Sequence, residues 1–249
     1  MSLDGRRCGG FLGVYPSNSP QRTPGPPANL PRQRRGTTPQ MRGRYPDYDV
    51  LAEAGHWDEA TRRVVLDRVE RIPPIHFFDE REAATLGAFC DVVLAQDAPP
   101  RIPVLAMVDE KLSEGRGEGY RHADMPPDGQ TWREVARMLD AAAAAGDSAG
   151  ARAESFAALE LDAQQRIVGR FAGGELEWRI PVAKAWSVVM RDALSAFYSH
   201  PWAWSEIGFG GPAYPRGYAR LGPGQREHWE SPPEFELDPV RDVGERGIE

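Results

Sequence analysis

From Tyr45 onward the apolar residues of this 249-residue chain recur at three- and four-residue steps, and strand-like alternation is scarce. Side chains spaced this way share one face of a helix, so they can be buried only by packing helix on helix. The fold class that follows is all-α. The ends of the periodic runs agree, because helix start and stop residues stand there. Asp58 is placed to cap a helix whose inner face is Val64, Val65 and Val69 and which ends before Pro73-Pro74. Phe78-Asp79-Glu80-Arg81-Glu82 reads as a capping box, in which Asp79 accepts a backbone N–H, Glu82 reaches back and Phe78 supplies the hydrophobic staple. The helix it opens presents Ala83, Leu86, Phe89, Cys90, Val93 and Leu94 on one side.

Further helices follow the same logic. Pro103 suits the first position of one with Leu105, Val108 and Leu112 inward and Gly115 as its stop. Thr131 and Glu134 form a second box, and the helix runs through Val135, Met138 and Leu139 to Ala145, stopping at Gly146. Asp162 with Gln165 caps a short helix using Ile167, Val168 and Phe171, which Gly173-Gly174 breaks. Pro181 begins the most apolar helix, with Val182, Ala185, Trp186, Val189, Met190, Ala193 and Phe197 on its inner face. That helix is expected at the centre of the core.

Charge and composition place the folded part within the chain. Residues 1–44 hold eight arginines, one acid (Asp4) and seven prolines with few large apolar side chains, a composition that cannot bury enough surface to order itself. They are expected to be a disordered basic arm, followed by an irregular helical domain over 45–221 and an irregular acidic tail over 222–249. The arm carries a net +7 within a total of −7, which leaves −14 on residues 45–249. An acidic folded part repels a phosphate backbone, so nucleic acid is not an expected partner. The arm lacks lysine, interleaved aromatics and amphipathic period, and reads as a solvated linker. No apolar run approaches the roughly 20 residues needed to span a bilayer, so a soluble product without direct membrane insertion is expected. Neither Arg6-Arg7 nor Arg34-Arg35 is followed by the apolar stretch of an export signal. The cytoplasm is therefore the expected compartment, unless a partner carries the chain across a membrane. Two cysteines, Cys8 and Cys90, make neither a disulfide framework nor a metal site.

Between Phe197 and Tyr218, seven of the chain's 23 aromatic residues crowd into 22 positions with four glycines and three prolines. The stretch is too irregular for a helix and too aromatic for an ordinary loop. Contiguous apolar surface is normally covered by the core or by a partner. This segment is expected to be buried, either in its own domain or under another subunit.

Catalytic groupings are scarce. Gly208-Phe209-Gly210-Gly211-Pro212 follows no strand and has a proline where a helix would need its N–H, so it is no phosphate loop. Glu53-Ala54-Gly55-His56 has the Glu-x-x-His spacing of di-iron bundles, which require a second such motif and further glutamates. A metal-dependent helical oxidoreductase using Glu53 and His56 stands as an alternative, beside a local surface or capping role for the pair. His56, His76, His122, His200 and His228 show no zinc-ligand spacing. Ser195 and Ser199 near His200 lack a strand-to-helix elbow and an orienting acid. Tyr120-Arg121-His122-Ala123-Asp124 can line a pocket or form a solvated loop.

Over about Phe77 to Arg220 the chain resembles the gluconate 2-dehydrogenase subunit 3 family. The residues that carry the resemblance are Phe78 to Leu86, Val108-Asp109-Glu110-Lys111-Leu112, Phe156 with Leu159, and Gln164-Gln165. The most specific are Ala196-Phe197-Tyr198-Ser199-His200-Pro201 and Ile207-Gly208-Phe209-Gly210-Gly211-Pro212. The resemblance implies a mostly α-helical, cofactor-free accessory subunit that binds a large flavin-dependent dehydrogenase of the glucose-methanol-choline type. FAD is then expected in that partner, and a cytochrome c subunit as a further member of such complexes.

On this reading the chain has no catalytic, cofactor-binding or metal residues of its own. The expected partner-interface residues are Phe197, Tyr198, Pro201, Trp202, Trp204, Gly208, Phe209, Gly210, Gly211, Pro212 and Tyr214. Aromatic rings combine large contact area with little entropy loss and so dominate interfaces. For each ring, closure of the chain's own core is the competing role. An interaction protein without a dehydrogenase partner is the remaining alternative.

Overall fold

The computed structural model describes residues 49–96, 99–146, 149–207 and 209–212, so the arm expected over 1–44 and the tail expected over 222–249 lie outside the described residues. Within them are a 3-10 turn over Val50–His56, then α1 (Glu59–Glu70), α2 (Glu80–Val93), α3 (Val104–Ser113) and α4 (Asp128–Ala145). A second 3-10 turn over Phe156–Ala158 leads to α5 (Leu161–Ala172), α6 (Val182–Ser199) and α7 (Pro201–Ile207). No strand occurs among the described residues. The fold is all-α.

Helices α2 and α6 each pack on α3, α4 and α5, and their aromatic side chains meet in the middle. Phe89 of α2 lies 6.2 Å from Trp186 of α6 and 5.9 Å from Phe171 of α5, while Trp132 of α4 stands edge-on to Phe89 at 6.4 Å. Rings at these tilted and T-shaped separations add to the stabilisation that comes from burial alone. Ala185, Val189, Ala193 and Phe197 are all buried, which puts α6 at the centre as its spacing predicts.

Several helix ends form as the sequence dictates. Asp58 caps α1 by accepting from Thr61 N. Asp79 accepts from Glu82 N at 2.8 Å and Glu82 accepts from Asp79 N at 3.3 Å, completing the capping box above a buried Phe78. Gly115 and Gly146 follow α3 and α4 with φ of +65° and +99°, a region that only glycine enters without strain.

Other ends differ. Thr131 and Glu134 are not a cap: α4 starts three residues earlier, at Asp128, because Thr131 N already bonds the Pro127 carbonyl. Both side chains are buried inside the helix instead, Thr131 donating to the Pro126 carbonyl and Glu134 accepting from Trp178 Nε1 and Arg179 Nε. Asp162 likewise falls inside the first turn of α5, whose N-cap position is Glu160. A carboxylate there faces the positive end of the helix dipole, which is why the sequence pattern resembles a cap. Pro103 and Pro181 sit at N-cap positions, one residue before the helices they were expected to begin. The spacing puts Val64 on the inner face of α1, but it is 52 % exposed, since only Val65 of that helix is fully covered.

One buried carboxylate fixes the strap between α1 and α2. Asp109 of α3 is fully buried and accepts from three successive backbone N–H groups, those of His76 (2.7 Å), Phe77 (3.0 Å) and Phe78 (3.0 Å). Arg133 of α4 holds the same strap from the other side, donating to the Phe77 carbonyl at 2.6 Å with its guanidinium 4.3 Å from the Phe77 ring centroid.

Candidate partner interface

Pro201 decides the shape of the aromatic segment. The residue before a proline is pushed out of the helical region, and His200 accordingly has φ −89° and ψ 135°, which ends α6. Proline is also well suited to open a helix, so Pro201 starts α7. The segment expected to be too irregular for a helix is therefore helical as far as Ile207, with one corner at His200.

His200 makes that corner rigid. It is 1 % exposed, its Nδ1 accepts the N–H of Trp202 at 3.2 Å, and its ring stands 5.0 Å from that of Trp202. The imidazole thus caps α7 in its neutral form. Burial pushes its pKa from 6.5 down to about 4, helped by the nearby Arg68 guanidinium and opposed by a hydrogen bond to the Arg68 backbone. An unfolded chain takes up this proton near pH 6.5, whereas the folded chain refuses it until about pH 4. Stability from this group is therefore full above pH 6.5 and falls as pH drops toward 4, by on the order of 3 kcal/mol. Asp91, whose carboxyl burial raises to about 6 against the opposing Arg101, acts in the opposite direction over the same range. The test is consequently a difference: the unfolding free energy of wild type minus that of His200→Asn should fall by about that amount between pH 7 and pH 4. A difference that stays flat in urea titrations would remove His200 from the account.

The expected interface residues that the structure describes divide by burial into three groups. Phe197 (1 % exposed) fills the main core and Trp204 (7 % exposed) a second, smaller cluster with Val50, Trp57 and Val65. Pro201, Gly210 and Gly211 are buried as well, and Gly211, at φ +77°, has Trp57 and Val50 packed so closely that a Cβ would lie 3.0 Å from each. These five residues close the chain's own interior. Tyr198 (39 % exposed) and Phe209 (43 % exposed) face outward, with Ile207 and Leu194 also exposed. Trp202 and Pro212 are half-buried, the indole leaning on the main core. Gly208 and Tyr214 lie outside the described residues.

Two contacts from far along the sequence, which the local pattern does not reveal, and one within the corner hold it together. Val50 N donates to Ser205 Oγ at 3.1 Å, Arg68 Nη1 to the Ser199 carbonyl at 2.7 Å, and Trp204 Nε1 to the Tyr198 carbonyl at 2.6 Å. The signal was present in Trp57, an aromatic just before the Asp58 cap, but nothing local names its partner.

The remaining chemistry-bearing residues are placed apart. Glu53 and His56 are 3.7 Å apart on the 3-10 turn, at an i,i+3 spacing, with His56 exposed and Glu53 half-buried. Among the described residues no group of three or more His, Cys, Asp or Glu is arranged to hold a metal ion. Ser199 Oγ donates to the Ala196 carbonyl, and the Nδ1 of His200 is already engaged, so the two do not form a nucleophile and base. Tyr120 is 63 % exposed and lines an open hollow of about 510 Å³ with Phe77 and the glycine-rich loop after α3. Cys90 is buried, and burial pushes its thiol pKa upward, away from reactivity. No helix among the described residues is long and apolar enough to cross a membrane.

No match is found among curated proteins or among solved structures. The family model for gluconate 2-dehydrogenase subunit 3 matches residues 80–211, from the first residue of α2 to the glycine under Trp57. That span is more than half of the chain and contains both the aromatic corner and the carboxylate that anchors the strap. The chain belongs to the gluconate 2-dehydrogenase subunit 3 family.

Proposed function

We propose that this chain is a non-catalytic small subunit that binds a flavin-dependent dehydrogenase of the glucose-methanol-choline type and stabilises or matures it. Membership of a family named for a dehydrogenase subunit carries the reading. FAD and the oxidation of a sugar or alcohol belong to the large subunit, and a cytochrome c subunit is the further member that takes up electrons. The two chains meet in the cytoplasm, and any extracytoplasmic location follows from the partner. The surface offered to the partner is the outward side of the α6–α7 corner, with Tyr198 and Phe209 as anchors and Trp202 at their side.

Co-expression with a flavin dehydrogenase encoded by a neighbouring gene should give a complex that co-purifies, with a higher soluble yield of the large subunit. The double substitution Tyr198→Ala/Phe209→Ala should weaken association at least about tenfold, about 1.4 kcal/mol. The melting temperature of the isolated chain should move by less than about 2 °C, because exposed side chains contribute little to its folding. If the two proteins neither co-purify nor alter each other's solubility, the accessory-subunit reading is wrong.

A further inference from the structure

Residues 49–71 precede the family match, which begins at Glu80, yet they cover part of α7. Val50 of the first 3-10 turn, Trp57 at the turn's C-cap and Val65 of α1 close over Trp204 in a cluster separate from the main core. Val50 N bonds Ser205 Oγ, and Arg68 bonds the Ser199 carbonyl while its guanidinium lies 5.9 Å from the Trp204 ring centroid. This face of α7 thus receives a β-branched side chain, an indole, a backbone N–H and a guanidinium, all from one polypeptide segment.

Three observations set that segment apart from the bundle. Between α1 and helices α3 and α6 runs an open groove of about 750 Å³, lined by Val64, Asp67, Met107 and Ser195 among others. The buried indole Nε1 of Trp57 meets no acceptor among the described residues, although buried N–H groups are nearly always paired. The link that follows, Ile72-Pro73-Pro74-Ile75, carries two exposed isoleucines (69 % and 38 %) before Asp109 fixes the chain again at His76. Towards α3, the end of the segment is tied by Arg71 to Glu110 at 2.8 Å, an ion pair open to solvent. Such pairs are weak.

We propose that residues 49–71 are a displaceable clasp on a peptide-binding face of α7, and that a segment of the large subunit with the same chemistry takes its place. The replacing segment presents a β-branched side chain, an aromatic ring with its own hydrogen-bond partner, one backbone N–H for Ser205 Oγ and a cation for the Ser199 carbonyl. Replacement by the large subunit rests on the accessory-subunit reading. The clasp and the face beneath it do not.

Hydrogen exchange of the full chain tests the clasp. Amides of 50–57, 61–70 and 204–207 should exchange together, at least about 100-fold faster than those at the centre of α4 and α6. Oxidised Val50→Cys/Ser205→Cys, in a Cys8→Ser background, should bring 204–207 to within about threefold of α4. Wild-type exchange at 50–70 as slow as in α4 overturns the clasp. A fluorescein-labelled peptide of residues 49–71 should bind the full-length Trp57→Ala chain at least about tenfold more tightly than the oxidised double-cysteine chain. Equal binding, or binding to neither, overturns the peptide-binding face. With the dehydrogenase present, the reduced double-cysteine chain should associate at least about tenfold more tightly than the oxidised one. Equal association overturns the replacement, whereas no association in either state overturns the accessory role and leaves the exchange result standing.

Discussion

Asp109→Ala should lower the unfolding free energy by about 4 kcal/mol, a large share of the 5–15 kcal/mol typical of a domain. The carboxylate is fully buried and accepts from the N–H groups of His76, Phe77 and Phe78. Alanine leaves these donors facing a cavity, and each buried donor without a partner costs about 1–3 kcal/mol. The strap can recover part of that by turning outward, which keeps the expected loss below the sum. Asp109→Asn retains one acceptor oxygen but points an NH₂ at the same donors, so about half of the loss should remain. Urea unfolding of both variants reads the effect as a lower midpoint at an unchanged slope. A loss under about 1 kcal/mol for the alanine variant would mean that the strap is held by Arg133 and Phe77 alone.

The largest effect is expected at Trp132. Its indole is fully exposed to the core and not at all to solvent, packing against Phe78 and Phe89 and donating to Asp192 Oδ2 at 3.0 Å. Trp132→Ala should cost about 5 kcal/mol, the upper end for removal of a large buried ring, because the cavity comes with a lost bond to a buried carboxylate. Asp192 itself is 1 % exposed and also accepts from Lys111 Nζ at 3.0 Å and from Arg191, so α3, α4 and α6 share one charged group. Trp132→Phe keeps most of the ring and loses the N–H, for which about 2 kcal/mol is expected. Combined with Asp192→Ala, the phenylalanine variant should be less damaging than the sum of the two single changes by about 1 kcal/mol. Strict additivity in denaturant titrations would show that the indole N–H and the carboxylate do not act as a pair.

These two residues also show how far the chain can be read unaided. Asp109 stands inside Val108-Asp109-Glu110-Lys111-Leu112, which carries part of the family resemblance, yet an acid in a helical pattern reads as a solvated position. Its burial depends on backbone donors 31 to 33 residues away. Thr131 and Glu134 differ from their sequence pattern for a related reason. Their spacing fits a capping box, but the prolines before Asp128 start the helix earlier, and tertiary partners at Trp178 and Arg179 then bury the glutamate. The density of glycine and proline in the aromatic segment predicts irregular structure, whereas Pro201 opens a helix and confines the break to His200.

Local sequence is enough for the all-α class, the Asp58 and Asp79 caps, the glycine stops at 115 and 146, the central place of α6 and the family. Each of these is set by residues within one or two helical turns or by a contiguous motif. Which rings of the aromatic corner serve the core depends on long-range packing, with Phe197 and Trp204 inside and Tyr198 and Phe209 outside. Such packing alone seats Val50 against Ser205, 155 positions away. Helical periodicity shows that a face will be covered, while the identity of the cover is settled by packing between segments that the local pattern does not relate.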